Sequence, residues 1–129
     1  MTTQVLRPPS LQEKAAAARE GDIAVFGKAV HNYDVEPYQL AWEEALNTMD
    51  RVVIVCPPDT FKSTTVQLWI ERQIGLNPNS RTLWLMNAGE QAEKRVMSVA
   101  STIESNPVYR SAFSIYPDRK LQWTKSVLY

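Results

Sequence analysis

Val52, Val53, Ile54 and Val55 stand in one unbroken run, and no other stretch of the chain limits the fold as sharply. β-branched side chains are stiff about χ1 and pack well on a pleated surface. A run that is apolar at every position suits a strand covered on both faces of a parallel sheet. Pro57, Pro58, Asp59 and Thr60 break the run, and Val66, Trp69, Ile70, Gln73 and Ile74 then recur at helical spacing. A second run from Thr82 to Met86 follows the loop Asn77-Pro78-Asn79-Ser80, and Ala92, Val96, Val99, Ala100 and Ile103 mark a second helix. This order predicts a βαβα unit with a parallel sheet, right-handed crossovers and a ligand site beyond the C-terminal ends of the strands.

Residues 1–50 read as a helical lead. Ser10 caps an Ala-rich helix that Gly21 stops near Glu20, and Asp22 caps the next. After Pro37, the positions Tyr38, Ala41, Trp42, Ala45, Leu46 and Met49 predict an amphipathic helix packed on the sheet. Residues 51–129 then form the first part of the α/β domain, with Leu121 to Trp123 and Val127 to Tyr129 read as a hairpin or sheet edge and the sequence as cut off there.

With 14 basic and 14 acidic residues, the chain lacks the field of a dedicated nucleic-acid clamp, so any DNA contact must be local. No apolar run is long enough to span a bilayer, and Met1-Thr2-Thr3-Gln4 has no leader character. The single Cys56 leaves no internal disulfide, which suits a reducing cytoplasm.

The turn Cys56-Pro57-Pro58-Asp59-Thr60-Phe61-Lys62-Ser63-Thr64 lines up with GxxxxGK[ST] at its lysine and hydroxyl positions, while Cys56 and Phe61 occupy the glycine positions. In such a loop backbone N–H groups and a helix N-terminus cradle phosphates. The lysine, here Lys62, neutralises β/γ charge, and the hydroxyl, here Ser63, binds the Mg²⁺ of Mg·ATP. Pro58, Asp59, Thr60, Phe61, Lys62, Ser63 and Thr64 are therefore the candidate ATP-binding residues.

Several segments together resemble the large subunit of phage terminases, the motor that packs double-stranded DNA into a capsid. They are Pro37-Tyr38-Gln39 in a helix, the apolar run, the Pro-rich loop ending in Lys62-Ser63, a strand ending in Asn87 and a helix with Ala92 near its start. The segment Ser105-Asn106-Pro107-Val108-Tyr109, with Phe113 and Trp123, completes the set, and the resemblance covers about Asp22 to Tyr129. It implies an α/β P-loop NTPase of the RecA-like (ASCE) kind with a helical lead, incomplete at the C-terminus. It also implies ATP and Mg²⁺ as cofactors, Gln39 as a reader of the adenine edge, and an ATPase-plus-endonuclease parent in the host cytoplasm. The implied partners are double-stranded DNA, a small terminase subunit, the portal or procapsid, and copies of itself in a ring, with no membrane.

Two departures stand out. Many family members carry a basic residue where this loop has Pro58 and Asp59, and Phe61 replaces the glycine before the lysine. The acidic strand motif that holds Mg²⁺ and orients water is absent, since the adjacent pair Glu43-Glu44 lies in a helical stretch. By the resemblance, that motif, the coupling segment and the nuclease carboxylates lie past Tyr129, so this stretch alone hydrolyses no ATP. A helicase-type ATPase and a non-catalytic module with a decayed phosphate loop stay open as alternatives. Cys56 and His31 as a nucleophilic dyad is the weaker reading beside a core thiol, and the four tryptophans read as packing residues.

Overall fold

A computed structural model describes residues 8–57, 61–86, 89–113 and 115. They form six helices: α1 (Leu11–Glu20), α2 (Ile23–His31), α3 (Pro37–Thr48), α4 (Lys62–Leu76), α5 (Gly89–Ser105) and α6 (Pro107–Phe113). The expected caps are in place. The Ser10 hydroxyl accepts from Glu13 N–H, and Asp22 accepts from the amides of Ala24 and Val25. Pro37 opens α3 at the first turn, where its missing N–H costs nothing.

The α/β parallel-sheet P-loop expectation is not met. Among the described residues there is no strand, and no backbone hydrogen bond joins 52–56 to 82–86. An apolar run becomes a strand only when a neighbouring strand takes up its backbone groups, and neither run has one among the described residues. Their side chains instead alternate in exposure. Val53 is 88% and Val55 91% exposed while Val52 and Ile54 are half-buried, and Leu83 and Leu85 are each 81% exposed around a half-buried Trp84 that packs on the helical core. The runs expected at 121–123 and 127–129, and Asn87, lie outside the described residues.

Helix packing supplies the core that the sheet was expected to supply. Phe26 and Val30 from α2, Leu68 from α4, Val99 and Ile103 from α5, and Val108, Tyr109 and Ala112 from α6 gather with Ala15 and Ala18 of α1. Phe26, Tyr109 and Phe113 make a three-ring cluster with centroids 4.9–6.2 Å apart, within the range of favourable aromatic contacts. Gly75 lets α4 approach it, since a Cβ there would lie 2.6 Å from the Phe113 ring. Across the bundle, the Arg19 guanidinium donates to the Ala112 carbonyl and fastens α1 to α6.

The apolar spacing selects only part of what α3 and α4 bury: on α4 it gives the buried Ile70 and the core-packed Ile74, but most of the buried positions of α4 and those of α3 are others. On α4 the buried residues are Thr65, Gln67, Leu68, Ile70 and Glu71, and on α3 they are Gln39 and Glu43, while Tyr38 and Met49 are 40% and 61% exposed. Glu71, fully buried, explains the rotation of α4. Its carboxylate accepts from Gln67 Nε2 at 3.0 Å and Thr102 Oγ1 at 3.1 Å, and meets His31 Nε2 at 2.7 Å. Its backbone carbonyl accepts from Tyr109 Oη at 2.7 Å. One residue thus links α4 to α2, α5 and α6. Truncating a buried, fully bonded charge strands its partners and leaves a cavity. Glu71→Ala is expected to lower unfolding free energy by about 3 kcal/mol or more, read as a drop in denaturant midpoint at unchanged slope.

Candidate functional site

Lys62 and Ser63, expected from the sequence in a phosphate loop, are the first two residues of α4, a 15-residue helix. α1 and α2 carry side-chain caps, but Phe61, which stands at the cap of α4, has no side-chain acceptor to offer. The amides of Lys62, Ser63 and Thr64 have no partner among the described residues, and the first intrahelical bond from the turn is Thr65 N–H to the Phe61 carbonyl at 2.9 Å. Uncapped amides together with the helix dipole make a partial positive charge at this end. Lys62 adds a full one from an exposed position, with Ser63 and Thr64 half-buried beside it.

Phe61 carries the local strain. Its φ of 59° and ψ of 29° put a bulky residue in the left-handed region, where the P-loop pattern has glycine. The ring is 61% exposed, so little packing holds it there. Pro58, Asp59 and Thr60, also expected in the loop, lie outside the described residues.

Gln39 is brought to this turn but faces inward. It is 3% exposed, with Oε1 accepting from Glu36 N–H at 2.8 Å and Nε2 donating to Thr65 Oγ1 at 2.7 Å. An adenine edge would meet this amide only after one of those bonds had been released. Thr65 itself, buried and one turn into α4, was not singled out from the sequence; the repeated Thr64-Thr65 after Lys-Ser is the signal that could have found it. Cys56 is a half-buried free thiol, and His31 is directed to Glu71 across the bundle, so the structure does not pair them. Among the described residues no cluster of three His, Cys, Asp or Glu could hold a metal ion.

Behind the turn lies a second polar cluster. Glu43 of α3 accepts from Ile23 N–H at 2.9 Å, at the N-terminus of α2. Burial pushes the Glu43 carboxyl above its ordinary range, the Ile23 amide pulls it back, the Asp22 charge pushes it further up and Arg72 opposes that. Burial also raises Tyr109, with the Glu71 carboxylate adding to the effect.

Compared with known protein families, curated proteins and solved structures, the chain gives no match.

The sign of the Glu43 effect follows from linkage. A carboxyl whose folded value is raised favours folding below its unfolded value, and this contribution disappears as pH rises through the folded value. Glu43→Gln keeps an acceptor for Ile23 N–H and cannot ionise. It is expected to raise the denaturation midpoint near about pH 7 and to match wild type near about pH 3, in paired urea titrations at the two pH values.

Proposed function

We propose that the N-terminal turn of α4 binds the polyphosphate of Mg·ATP, as the nucleotide-contacting first part of a DNA-packaging ATPase of the terminase large-subunit kind. One observation carries the reading: Lys62 and Ser63 open a long helix whose N-cap residue, Phe61, supplies no side-chain cap and has a positive φ. Anion binding at such a turn draws on backbone amides, the helix dipole, a lysine charge and a hydroxyl, and it does not call on a parallel sheet. Ser63 is the hydroxyl suited to the metal of Mg·ATP, which would arrive with its phosphates since the described residues offer no metal cluster of their own.

The roles divide simply. Lys62 supplies charge to the terminal phosphates, the amides from Lys62 to Thr64 supply donors, and Gln39 with Thr65 supports the turn from behind. The sequence holds no Asp-Glu pair after an apolar run, so hydrolysis needs acidic residues from elsewhere in the motor. Double-stranded DNA, a small terminase subunit, a portal and a ring of like subunits belong to this reading as partners. A module that binds no nucleotide is the competing reading, and the exposed Phe61 ring favours it.

Titration with Mg·ATP at one ionic strength tests the proposal. A charge-assisted phosphate contact contributes about 1.5–3 kcal/mol, so Lys62→Ala is expected to weaken binding roughly ten- to hundredfold without steady phosphate release in either protein. Affinity unchanged by Lys62→Ala would overturn the site.

Phe61→Gly separates strain from binding. A left-handed conformation costs a non-glycine residue about 1–2 kcal/mol, against the roughly 0.5–1 kcal/mol of unfolded-state entropy that glycine adds. Because φ here is positive, the variant is expected to be more stable by about 0.5–1 kcal/mol and to bind Mg·ATP more tightly. Thermal melts with and without nucleotide read both effects.

A further inference from the structure

We infer that Gln39 and Thr65 form a buried latch that holds Phe61 in its left-handed turn, so that Gln39 positions Lys62 and Ser63 rather than reading a nucleobase. What the turn is for rests on the proposed function; the latch itself rests on geometry.

The bonds run in one direction. Gln39 Oε1 takes the Glu36 amide hydrogen, which fixes the side-chain amide so that Nε2 faces Thr65. Thr65 Oγ1 accepts that hydrogen and commits its own to the Phe61 carbonyl at 2.8 Å. The same carbonyl also takes Thr65 N–H at 2.9 Å, so a single residue grips Phe61 twice.

Thr65 is fully buried and Gln39 nearly so, which makes these bonds costly to leave unmade. Phe61 is the reverse: 61% exposed, with little packing to hold it, and in a conformation its side chain disfavours. Some contact must fix the turn, and its carbonyl is where the fixing is seen. The Phe61 carbonyl and the Lys62 amide share one peptide plane, so loss of the two bonds to that carbonyl would free the plane to turn about ψ of Phe61 and swing the Lys62 amide away from its present direction. Gln39 has one amide hydrogen and one lone pair left, inside a site that is 3% open, whereas recognition of an adenine edge needs a donor and an acceptor facing outward together.

The test uses the whole chain with three variants: Gln39→Leu, Thr65→Val, and Thr65→Ser as the restoring control. Hydrogen exchange of the Thr65 amide, compared with amides 68–71 at mid-helix, reads the turn without any ligand. Mg·ATP and Mg·GTP titrations read base discrimination. The latch predicts that Gln39→Leu and Thr65→Val speed exchange at Thr65 roughly tenfold with mid-helix rates unchanged, and that Thr65→Ser restores it. It predicts that ATP and GTP affinities fall together, so that their ratio is constant. If Gln39→Leu does not fold, Thr65→Val carries the test. A Gln39→Leu protein with wild-type exchange at Thr65 but a changed ATP to GTP ratio would overturn the latch in favour of base reading. Unchanged exchange in Thr65→Val would overturn it outright. A wild-type chain that binds neither nucleotide removes the proposed function, and the exchange comparison then still decides the latch.

Discussion

A carboxylate can sit at the centre of a helical bundle only if donors surround it, and Glu71 dictates much of this architecture for that reason. His31, Gln67 and Thr102 supply those donors from three helices, and Tyr109 closes on the carbonyl of the same residue. Hydrophobic contact is tolerant of small rotations, whereas a set of hydrogen bonds near 3 Å is not. The rotation of α4 is therefore set by its polar residues, and Leu68 and Ile70 are buried as a consequence of where Glu71 must point.

The same helix carries a second polar link at its start. Gln39 and Thr65 tie α3 to the first turn of α4, about six residues before Glu71 engages the rest of the bundle. Both ends of this stretch are consequently anchored through buried polar atoms. The exposed Lys62 therefore stands on a turn that buried hydrogen bonds hold from the side of α3.

The helices of the N-terminal half were legible because their signals are local. Ser10, Asp22 and Pro37 fix starts by hydrogen-bonding or by backbone angle, with no reference to the rest of the chain. Asn106 followed by Pro107 carries the same kind of signal for α6, with Asn106 Oδ1 accepting from Tyr109 N–H, yet that helix was read only as a family segment. The two apolar runs were misread for the opposite reason: strand formation depends on a partner that a linear pattern cannot supply. On α4 apolar spacing gave Ile70 and Ile74, while the polar part of the buried faces of α3 and α4 escaped it because Gln39, Glu43, Gln67 and Glu71 look like surface residues until their partners are known. At the candidate site the positions of Lys62 and Ser63 at a helix start were readable, while the inward turn of Gln39 depends on Thr65, which is 26 positions away.

The contact between Arg19 and the Ala112 carbonyl joins residues 93 positions apart. A ribosome releases the chain from its N-terminus, so α1 emerges long before the helix it packs against. Until α6 is made, the small apolar face of Ala15 and Ala18 has lost its main cover, and an isolated helix of ten residues is marginal in water. α1 is accordingly secured only after the residues of α6 have been made, so its docking comes late relative to its own synthesis.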